Sequence, residues 1–288
     1  MNIPHASRRQ RAIALFRWML FALAMGPHTL SWAHPSAAER AAGKTSAAGV
    51  DALACAEDTT ASAAKALHFA GAADFWREGR NAACRLDPVH SDRAIVALTY
   101  VHGEEITGQP QQGYAAEERD LDLLVIDLGD GQIIAHRHED AAIEDDGERF
   151  EGMAIDTGRY VLAKGQRAFG VRTINASHCR CINNRVESLT LYLQHGSRLD
   201  RILSTHASEW QASYETGSEP PPTCAESATT LTTTVMVGAG NSHGLADLRL
   251  ATTATSSDVD DDASATKCPA LAPGKKIVTL HFDGQSYK

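Results

Sequence analysis

Long apolar runs and clusters of basic residues are both scarce in this sequence of 288 residues. A transmembrane helix needs about 20 apolar residues to cross a bilayer core of about 30 Å, and the apolar run from Trp18 to Met25 is much shorter. No later run approaches that length. Lys and Arg number 27 against 36 Asp and Glu, which gives a net charge of −9, and no basic stripe follows Arg17. Because proteins bind phosphate backbones through clustered Lys and Arg, this composition argues against a nucleic-acid partner.

Motifs of several enzyme classes are also missing. There is no G-x-S-x-G sequence of the kind that exposes a nucleophilic serine, and no phosphate-binding loop. The glycine-rich stretch Gly238–Gly244 contains Ser242 and His243 but lacks the lysine of such a loop, so it predicts a hairpin turn. The acidic stretches Asp127–Gln132 and Asp258–Ala263 lack the spacing of a calcium-binding loop. The sequence therefore favours a non-enzymatic protein, with a hydrolase site assembled from distant residues as an alternative.

The amino-terminal segment has the layout of a signal peptide. Four arginines, the last of them Arg17, precede the apolar run, and Ser31-Trp32-Ala33 resembles the small-residue pattern at which signal peptidase cuts. We therefore predict a signal peptide over residues 1–33 and a periplasmic or secreted protein with no membrane span in its mature chain. Cleavage removes four arginines and no acid, which changes the net charge from −9 to −13. The alternative is a retained membrane anchor that begins at Ala12, with Arg17 extended toward the membrane surface.

Cleavage after Ala33 makes His34 the first residue of the protein. A terminal amine and an imidazole on the same residue can chelate copper. The residues that follow, 34–50, are small and polar without apolar periodicity, so they predict a flexible leader with nothing to hold a metal-binding end rigidly. We therefore favour a simple tail over a copper-binding terminus.

The cysteines indicate disulfide bonding, because an even number of cysteines in an exported protein favours disulfides. All six follow the predicted signal peptide, and they are Cys55, Cys84, Cys179, Cys181, Cys224 and Cys268. Sequence alone does not choose among their pairings. Cys55 and Cys84 bracket an alanine-rich segment, 51–91, which predicts a disulfide-stapled cap of one or two short helices. Cys224 and Cys268 flank an acidic segment, Thr255–Thr266, which predicts a surface loop.

The rest of the chain, residues 92–288, has the pattern of a β domain. Runs of apolar, β-branched and aromatic residues lie around three X-Gly dipeptides, which are Asp130-Gly131, His195-Gly196 and Asp283-Gly284. Such a dipeptide between two apolar runs favours a tight hairpin, since glycine accepts a positive φ.

Further strands are predicted between and after these hairpins. The chain is expected to turn near Gly158 and Lys164-Gly165, and a threonine-rich hairpin is predicted over Ala228–Thr255. The predicted fold class is therefore mainly β. We expect an antiparallel meander, arranged as a sandwich or as an irregular propeller-like sheet, preceded by the small helical cap.

Two histidines in a predicted strand have the chemistry of metal ligands. His136 and His138 lie two residues apart, which places both imidazoles on one face, and Glu139 or Asp140 at the strand end is a candidate third ligand. Imidazole suits copper and zinc. The alternative is an exposed strand face that ends in a polar turn.

A second candidate is the stretch that contains His178, Cys179 and Cys181, where three soft or borderline ligands lie within four residues. This composition suits copper or zinc, and folding is needed to bring it near the strand histidines. The alternative is that one or both cysteines form disulfides in an oxidising compartment. A redox-active pair is a third interpretation, for which Arg180 and Arg185 would lower the thiol pKa.

Several segments together resemble a group of exported proteins of Gram-negative bacteria that have no assigned activity. The segments are DLDLLVID, DTGRYVLAKGQRAFGVR, ESLTLYLQHGSRLDRIL and NSHGLADLRL, and the likeness covers most of Asp51 to Lys288. The resemblance implies a compartment and no particular chemistry, since its segments are strand and turn sequences.

The leading hypothesis from sequence is a non-enzymatic envelope protein that binds a protein or glycan partner and needs no cofactor. It depends on the stapled β scaffold and on the missing catalytic motifs. The rival hypothesis is a periplasmic protein that handles copper or zinc, or that carries out thiol redox chemistry, with the histidines and cysteines described above.

Overall fold

The computed structural model of the chain describes residues 53–70, 75–76, 79, 81–103, 118–143, 149–177, 183–212, 227–258 and 274–288. These residues form one short helix and an open, mixed sheet of 11 strands. The prediction of a mainly β fold with a small helical cap is confirmed. None of the helices within these ranges combines the length and apolarity that a membrane span requires.

The elements follow one another with short connections in most places. In chain order they are α1 (Thr59–Ala66), β1 (Ala82–Leu86), β2 (Arg93–Val101), β3 (Arg119–Asp127), β4 (Ile133–Ile143), β5 (Arg149–Ala163), β6 (Gln166–Ala176), β7 (Asn183–His195), β8 (Arg198–Ala212), β9 (Ser227–Ser242), β10 (Leu245–Asp258) and β11 (Gly274–Leu280). Strands that are consecutive in the chain pair antiparallel, with the exception of β4 and β5. The sheet is therefore built from two meanders, β1–β4 and β5–β11.

The two meanders join where β4 pairs with β8 in parallel. This contact is short: His136 is the register partner of Arg198, and the His136 N–H donates to the Ser197 carbonyl at 3.2 Å. It makes an otherwise antiparallel sheet mixed. The local sequence of neither strand predicts this parallel pairing, because the pairing depends on how the two meanders pack.

The main core lies between the inner faces of the two meanders. Its residues alternate along each strand, as in Ile95 and Ala97 of β2 or Leu121, Leu123 and Val125 of β3. They pack against apolar side chains of β5 to β8, which are Met153, Ile155, Phe169, Val171, Tyr192 and Leu199. Alternation with a period of two is the pattern by which a strand buries one face.

A second core lies on the other face of β5–β8, where β9, β10 and β11 cover it. Leu191 belongs to this core while its neighbour Tyr192 belongs to the first, and both are fully buried. Covering both faces of a strand removes the alternation of polar residues, which explains the apolar run Leu191-Tyr192-Leu193 in β7. Leu248 of β10 and Phe282 near the carboxyl terminus complete this core.

The cap forms a third core on the outer face of β1–β3. Phe69, Phe75 and Trp76, which follow α1, pack there with Val96 and Leu98 of β2. The predicted disulfide between Cys55 and Cys84 is present, with 5.9 Å between the two Cα atoms.

The cap segment also contains a strand that composition did not indicate. Residues Ala82–Leu86 form β1 inside the segment 51–91 that we predicted as helical, and they pair with β2 in register from Ala82↔Leu98 to Leu86↔Ala94. A vacant edge of β2 outweighs the helical preference of two alanines, because pairing satisfies the backbone of the whole segment.

Most of the predicted turns are present. Gly131, Gly165 and Gly196 have φ angles of 72°, 74° and 62° in the β3–β4, β5–β6 and β7–β8 turns. The threonine-rich hairpin is confirmed as β9–β10. Gly158, in contrast, lies inside β5, where the pairing with β6 shifts register between Asp156 and Tyr160.

The chain at Gly158 and the chain at Asp283-Gly284 differ from the predicted hairpin turns, each for a local reason. At Gly158 the backbone N–H donates to the Asp156 carboxylate at 2.8 Å, so a side chain stabilises an irregular strand in place of a turn. Asp283-Gly284 does form a tight turn, but it does not join two strands. β11 precedes it, and after it the chain makes a single bridge, between Phe282 and Tyr287.

The Cys55–Cys84 bond gives a first testable prediction. Replacing both cysteines with alanine is expected to lower the free energy of unfolding by about 3–4 kcal/mol, since the bond closes a loop across a sequence separation of 29 residues. Urea denaturation of the oxidised protein and of the double variant measures the difference. As a control, the parent protein and the double variant are compared under a strong reductant, where the two should unfold at the same urea concentration. A loss below about 1 kcal/mol would show that the cap is held by packing alone.

Candidate metal site

A cluster of histidines and aspartates lies on the outer face of β2–β4, beyond the edge of the cap. The even-numbered residues of β3 point to this face, so Asp120 and Asp122 lie beside the buried Leu124. Strand pairing sets Tyr100 of β2 opposite Asp120 and His138 of β4 opposite Asp122. The register of two hairpins therefore gathers residues from three strands.

Asp122 is the buried centre of this cluster. Its carboxylate accepts a hydrogen bond from the Tyr100 hydroxyl at 2.8 Å. The imidazoles of His136 and His138 pair with it at 2.5 and 3.2 Å, through Nε2 and Nδ1 respectively. The three partners satisfy a carboxylate that would otherwise be costly to bury.

Asp120 is the second buried carboxylate; it lies two residues before Asp122 on β3 and therefore on the same face. Its Oδ1 lies 2.6 Å from Nδ1 of His102, the residue that follows β2, and accepts the Ala141 N–H at 2.8 Å. Ala141 has a φ of 45° in the left-handed region, at the point where the β3–β4 register shifts. This bulge turns the end of β4 toward Asp120 and sets Asp140 at the rim of the cluster.

Three of these residues are arranged as metal ligands. One ligand atom from each of His102, Asp120 and Asp140 lies within 4.8 Å of the others. The Nε2 atom of His138 lies 3.0 Å from the Asp140 carboxylate, beside this group. Zinc accepts both imidazole nitrogen and carboxylate oxygen as ligands, at about 2.0–2.2 Å.

The carboxylates control the charge of the neighbouring side chains. The hydrogen bond to Asp120 raises the pKa of His102. Burial lowers the pKa of His138, but Asp140 and Asp122 outweigh that effect and raise it overall. Burial and the bond to Asp122 together raise the pKa of Tyr100 well above its usual range. The carboxylates thus favour protonated imidazoles, so a metal ion that binds these nitrogens must displace their protons.

The structure tests where the predicted strand residues lie. His136 and His138 do share one face, and Asp140 joins them as the candidate third ligand. Glu139 points the other way, where its carboxylate accepts a hydrogen bond from the Tyr192 hydroxyl at 3.0 Å and pairs with Arg137. It therefore takes no part in the cluster.

Several predicted residues lie outside the described part of the chain. They are the signal peptide and leader, with His34, and the ligand candidates His178, Cys179 and Cys181, together with Cys224 and Cys268. Their roles as ligands or disulfide partners stay predictions.

Four members of the cluster were not predicted as site residues: Tyr100, His102, Asp120 and Asp122. A signal for two of them was available in RDLDLLVID, where two aspartates alternate in an otherwise apolar strand. Alternation puts both on one face, and carboxylates on a buried strand need partners. Nothing comparable marks Tyr100 or His102.

A serine, a histidine and an aspartate also meet near the carboxyl terminus. Ser242 donates to the Asp247 carboxylate at 2.7 Å, while Nδ1 of His281 lies 3.1 Å from that carboxylate and 3.3 Å from the serine oxygen. In a catalytic triad the two ring nitrogens face different partners, with the serine on one and the carboxylate on the other. Here one nitrogen faces both, so the group fastens the chain end to the β9–β10 hairpin.

Nothing among the known protein families, the curated proteins or the solved structures matches this chain. The fold and the cluster together define a disulfide-stapled, β-rich protein with a surface group of three histidines and three aspartates. Any function assigned to it rests on the geometry of this group.

Proposed function

We propose that this protein binds a zinc or copper(II) ion through His102, Asp120, His138 and Asp140, and that it handles this metal in the bacterial envelope. The observation that carries the proposal is the convergence of Asp120 of β3, Asp140 of β4 and His102, which follows β2, to within 4.8 Å. The proposal retains the strand histidine His138 of the sequence prediction and adds ligands from the two neighbouring strands.

Burial of the carboxylates supports a functional role. Asp120 and Asp122 are both almost fully buried, although desolvating a carboxylate costs several kcal/mol. Apolar residues at these positions would stabilise a strand more simply. A bound metal ion would account for the convergence of Asp120 with His102, His138 and Asp140 on one face.

The donor atoms favour zinc or copper(II) over calcium or magnesium. Calcium and magnesium bind oxygen ligands almost exclusively, whereas two of the four proposed ligands are imidazoles. Asp122 fits the role of an orienting partner, because histidines that bind metals commonly donate their other N–H to a carboxylate.

Exposure of the site supports exchange of the metal. The Asp140 side chain is 78% exposed and that of His102 is 42% exposed, while Asp120 is buried beneath them. Structural zinc sites are closed, whereas sites that exchange ligands keep an open position. An envelope location follows from the predicted signal peptide and is compatible with the Cys55–Cys84 disulfide.

Equilibrium dialysis of the exported, untagged chain against zinc or copper(II) tests this proposal. We expect one ion per chain at this site, and an affinity at least about tenfold weaker in the His102→Ala variant. His195→Ala is the matched control: its Nδ1 lies 2.7 Å from Asp200 and its side chain is 45% exposed, much like His102 beside Asp120. That variant should bind like the parent.

Two results would contradict the proposal. One is a parent protein that retains neither metal. The other is equal stoichiometry and affinity in both variants, which would place the metal elsewhere, for example at His178 and Cys179. Binding of a protein or glycan partner stays a separate prediction that this experiment does not address.

A further inference from the structure

A cavity of about 380 Å³ opens at the other end of β2 from the metal site. It lies between the β1–β2 connection and the turns that join β5 to β6 and β7 to β8. Its walls include Ile95, Val125 and Phe169 of the main core, together with Ala168 and Leu193 of the second core. The volume falls at the small end of the range that small-molecule sites occupy, about 300–1,000 Å³.

Arg93 lines this cavity with a donor that the protein does not use. It has the same strand parity as Ile95 and Ala97, so its side chain lies on the inner face. Its Nε atom is buried without a hydrogen-bond partner, and the side chain makes no ion pair within the described ranges. An unsatisfied buried N–H is costly, so this donor favours a ligand that brings an acceptor to it.

The charged side chains that line the cavity give it a net positive charge. Arg167 donates to the carbonyls of Thr157 and Gly158 at 2.6 and 3.0 Å, which leaves its charge without a carboxylate. Asp87 is the acid among the described lining residues. It already accepts the N–H of Val89 at 2.7 Å and pairs with the His90 imidazole at 3.1 Å.

The entrance is apolar. Val89 is 57% exposed and Val161 is 51% exposed, and both line the opening. Together with Phe169 and Ile95, they give the cavity apolar walls beside the cationic side chain of Arg93. A ligand that matches both features carries one negative charge on an apolar body.

A larger, polar cleft near β8 lacks this combination. It is lined by Arg137, Arg198 and Arg201, but these arginines pair with the carboxylates of Glu139 and Asp200. Its cationic groups are already satisfied, so they do not indicate an absent anion.

We propose that the cavity beside Arg93 binds a small amphipathic carboxylate. The carboxylate accepts the N–H groups of Arg93, and the aliphatic or aromatic body lies against Phe169, Ile95 and the valines at the entrance. Arginine suits this role because its planar guanidinium binds a carboxylate through two parallel hydrogen bonds. The site is independent of the proposed metal site, which lies on the outer face of the same sheet.

Titration calorimetry with octanoate tests the proposal, with a chelator present so that the result does not depend on metal. We expect octanoate to bind the parent protein, and affinity to fall about fourfold for each methylene removed as the chain is shortened toward butyrate. The Arg93→Met variant keeps an apolar stem without the charge, and octanoate should bind it at least about tenfold more weakly. 1-Octanol should bind parent and variant alike.

Arg198→Met is the matched control, since it removes an arginine of the polar cleft whose charge is already paired with Asp200. Its octanoate affinity should equal that of the parent. The Arg93→Met variant should also unfold at the same or a higher urea concentration, because it loses an unsatisfied donor. Absence of octanoate binding, equal binding by Arg93→Met, or acetate binding as tight as octanoate would each overturn the proposal.

Discussion

Replacing Asp120 with asparagine is expected to weaken zinc binding by about 100-fold or more. Asp120 is the one buried member of the ligand set formed with His102 and Asp140, so it supplies the charge that is least screened by water. Asparagine has nearly the same shape, and its amide oxygen can still accept the Ala141 N–H. Competition with a chromophoric zinc chelator measures the affinity, and urea denaturation shows whether the fold is intact.

Asp122→Asn provides a graded comparison. Asp122 does not bind the metal in this account; it orients His136 and His138 through hydrogen bonds of 2.5 and 3.2 Å. Loss of such an orienting carboxylate typically reduces metal affinity about 10–100-fold. The expected order of affinities is therefore parent, then Asp122→Asn, then Asp120→Asn. Parent-like zinc affinity in Asp120→Asn would show that this carboxylate has a structural role only.

Replacing Trp76 with alanine is expected to lower the free energy of unfolding by about 3–5 kcal/mol, the usual cost of truncating a large buried aromatic side chain. Trp76 is almost fully buried in the cap. Its ring stacks on Phe69 at 5.8 Å and meets the edge of Phe75 at 4.7 Å, so alanine leaves a cavity with aromatic walls. Urea denaturation followed by circular dichroism measures the loss, with the Cys55–Cys84 bond intact in both proteins.

Trp76→Phe separates packing from hydrogen bonding. The indole Nε1 of Trp76 is buried and has no hydrogen-bond partner in the described residues, so phenylalanine removes an unsatisfied donor while it keeps a ring in place. We expect this variant to lose less than half as much stability as Trp76→Ala. A Trp76→Ala loss below about 1 kcal/mol would show that the cap adds little to the stability of the sheet.

The cap also bears on the metal site. Phe69 meets the Tyr100 ring edge-on at 5.2 Å, and the Tyr100 hydroxyl donates to Asp122. Tyr100 therefore connects the aromatic residues of the cap to the buried carboxylate of Asp122. The disulfide and Trp76 therefore stabilise the packing of Phe69 against Tyr100, the residue that donates to Asp122.

Local sequence signals were enough to predict much of the fold. The Asp130-Gly131 and His195-Gly196 turns form as expected, because glycine at positive φ closes a hairpin whatever lies around it. The Cys55–Cys84 bond could also be predicted, because the two cysteines bracket one segment of the chain. The parallel contact of His136 with Arg198 was not, because it joins meanders that are far apart in sequence.

The candidate site was predicted only in part for the same reason. A period of two places His136 and His138 on one face without any knowledge of the fold. The positions of His102 and Asp120 depend on the register of β2 with β3 and on the bulge at Ala141. Register across two hairpins is a property of packing, and no short motif in the sequence encodes it.

Zinc or copper is proposed to bind on the outer face of β2–β4. Diffraction at the zinc absorption edge, from crystals of the untagged protein grown with zinc, tests this proposal most directly. We predict an anomalous peak about 2.0–2.2 Å from ligand atoms of His102, Asp120 and Asp140. Zinc peaks at other positions, with none among these three residues, would contradict the account.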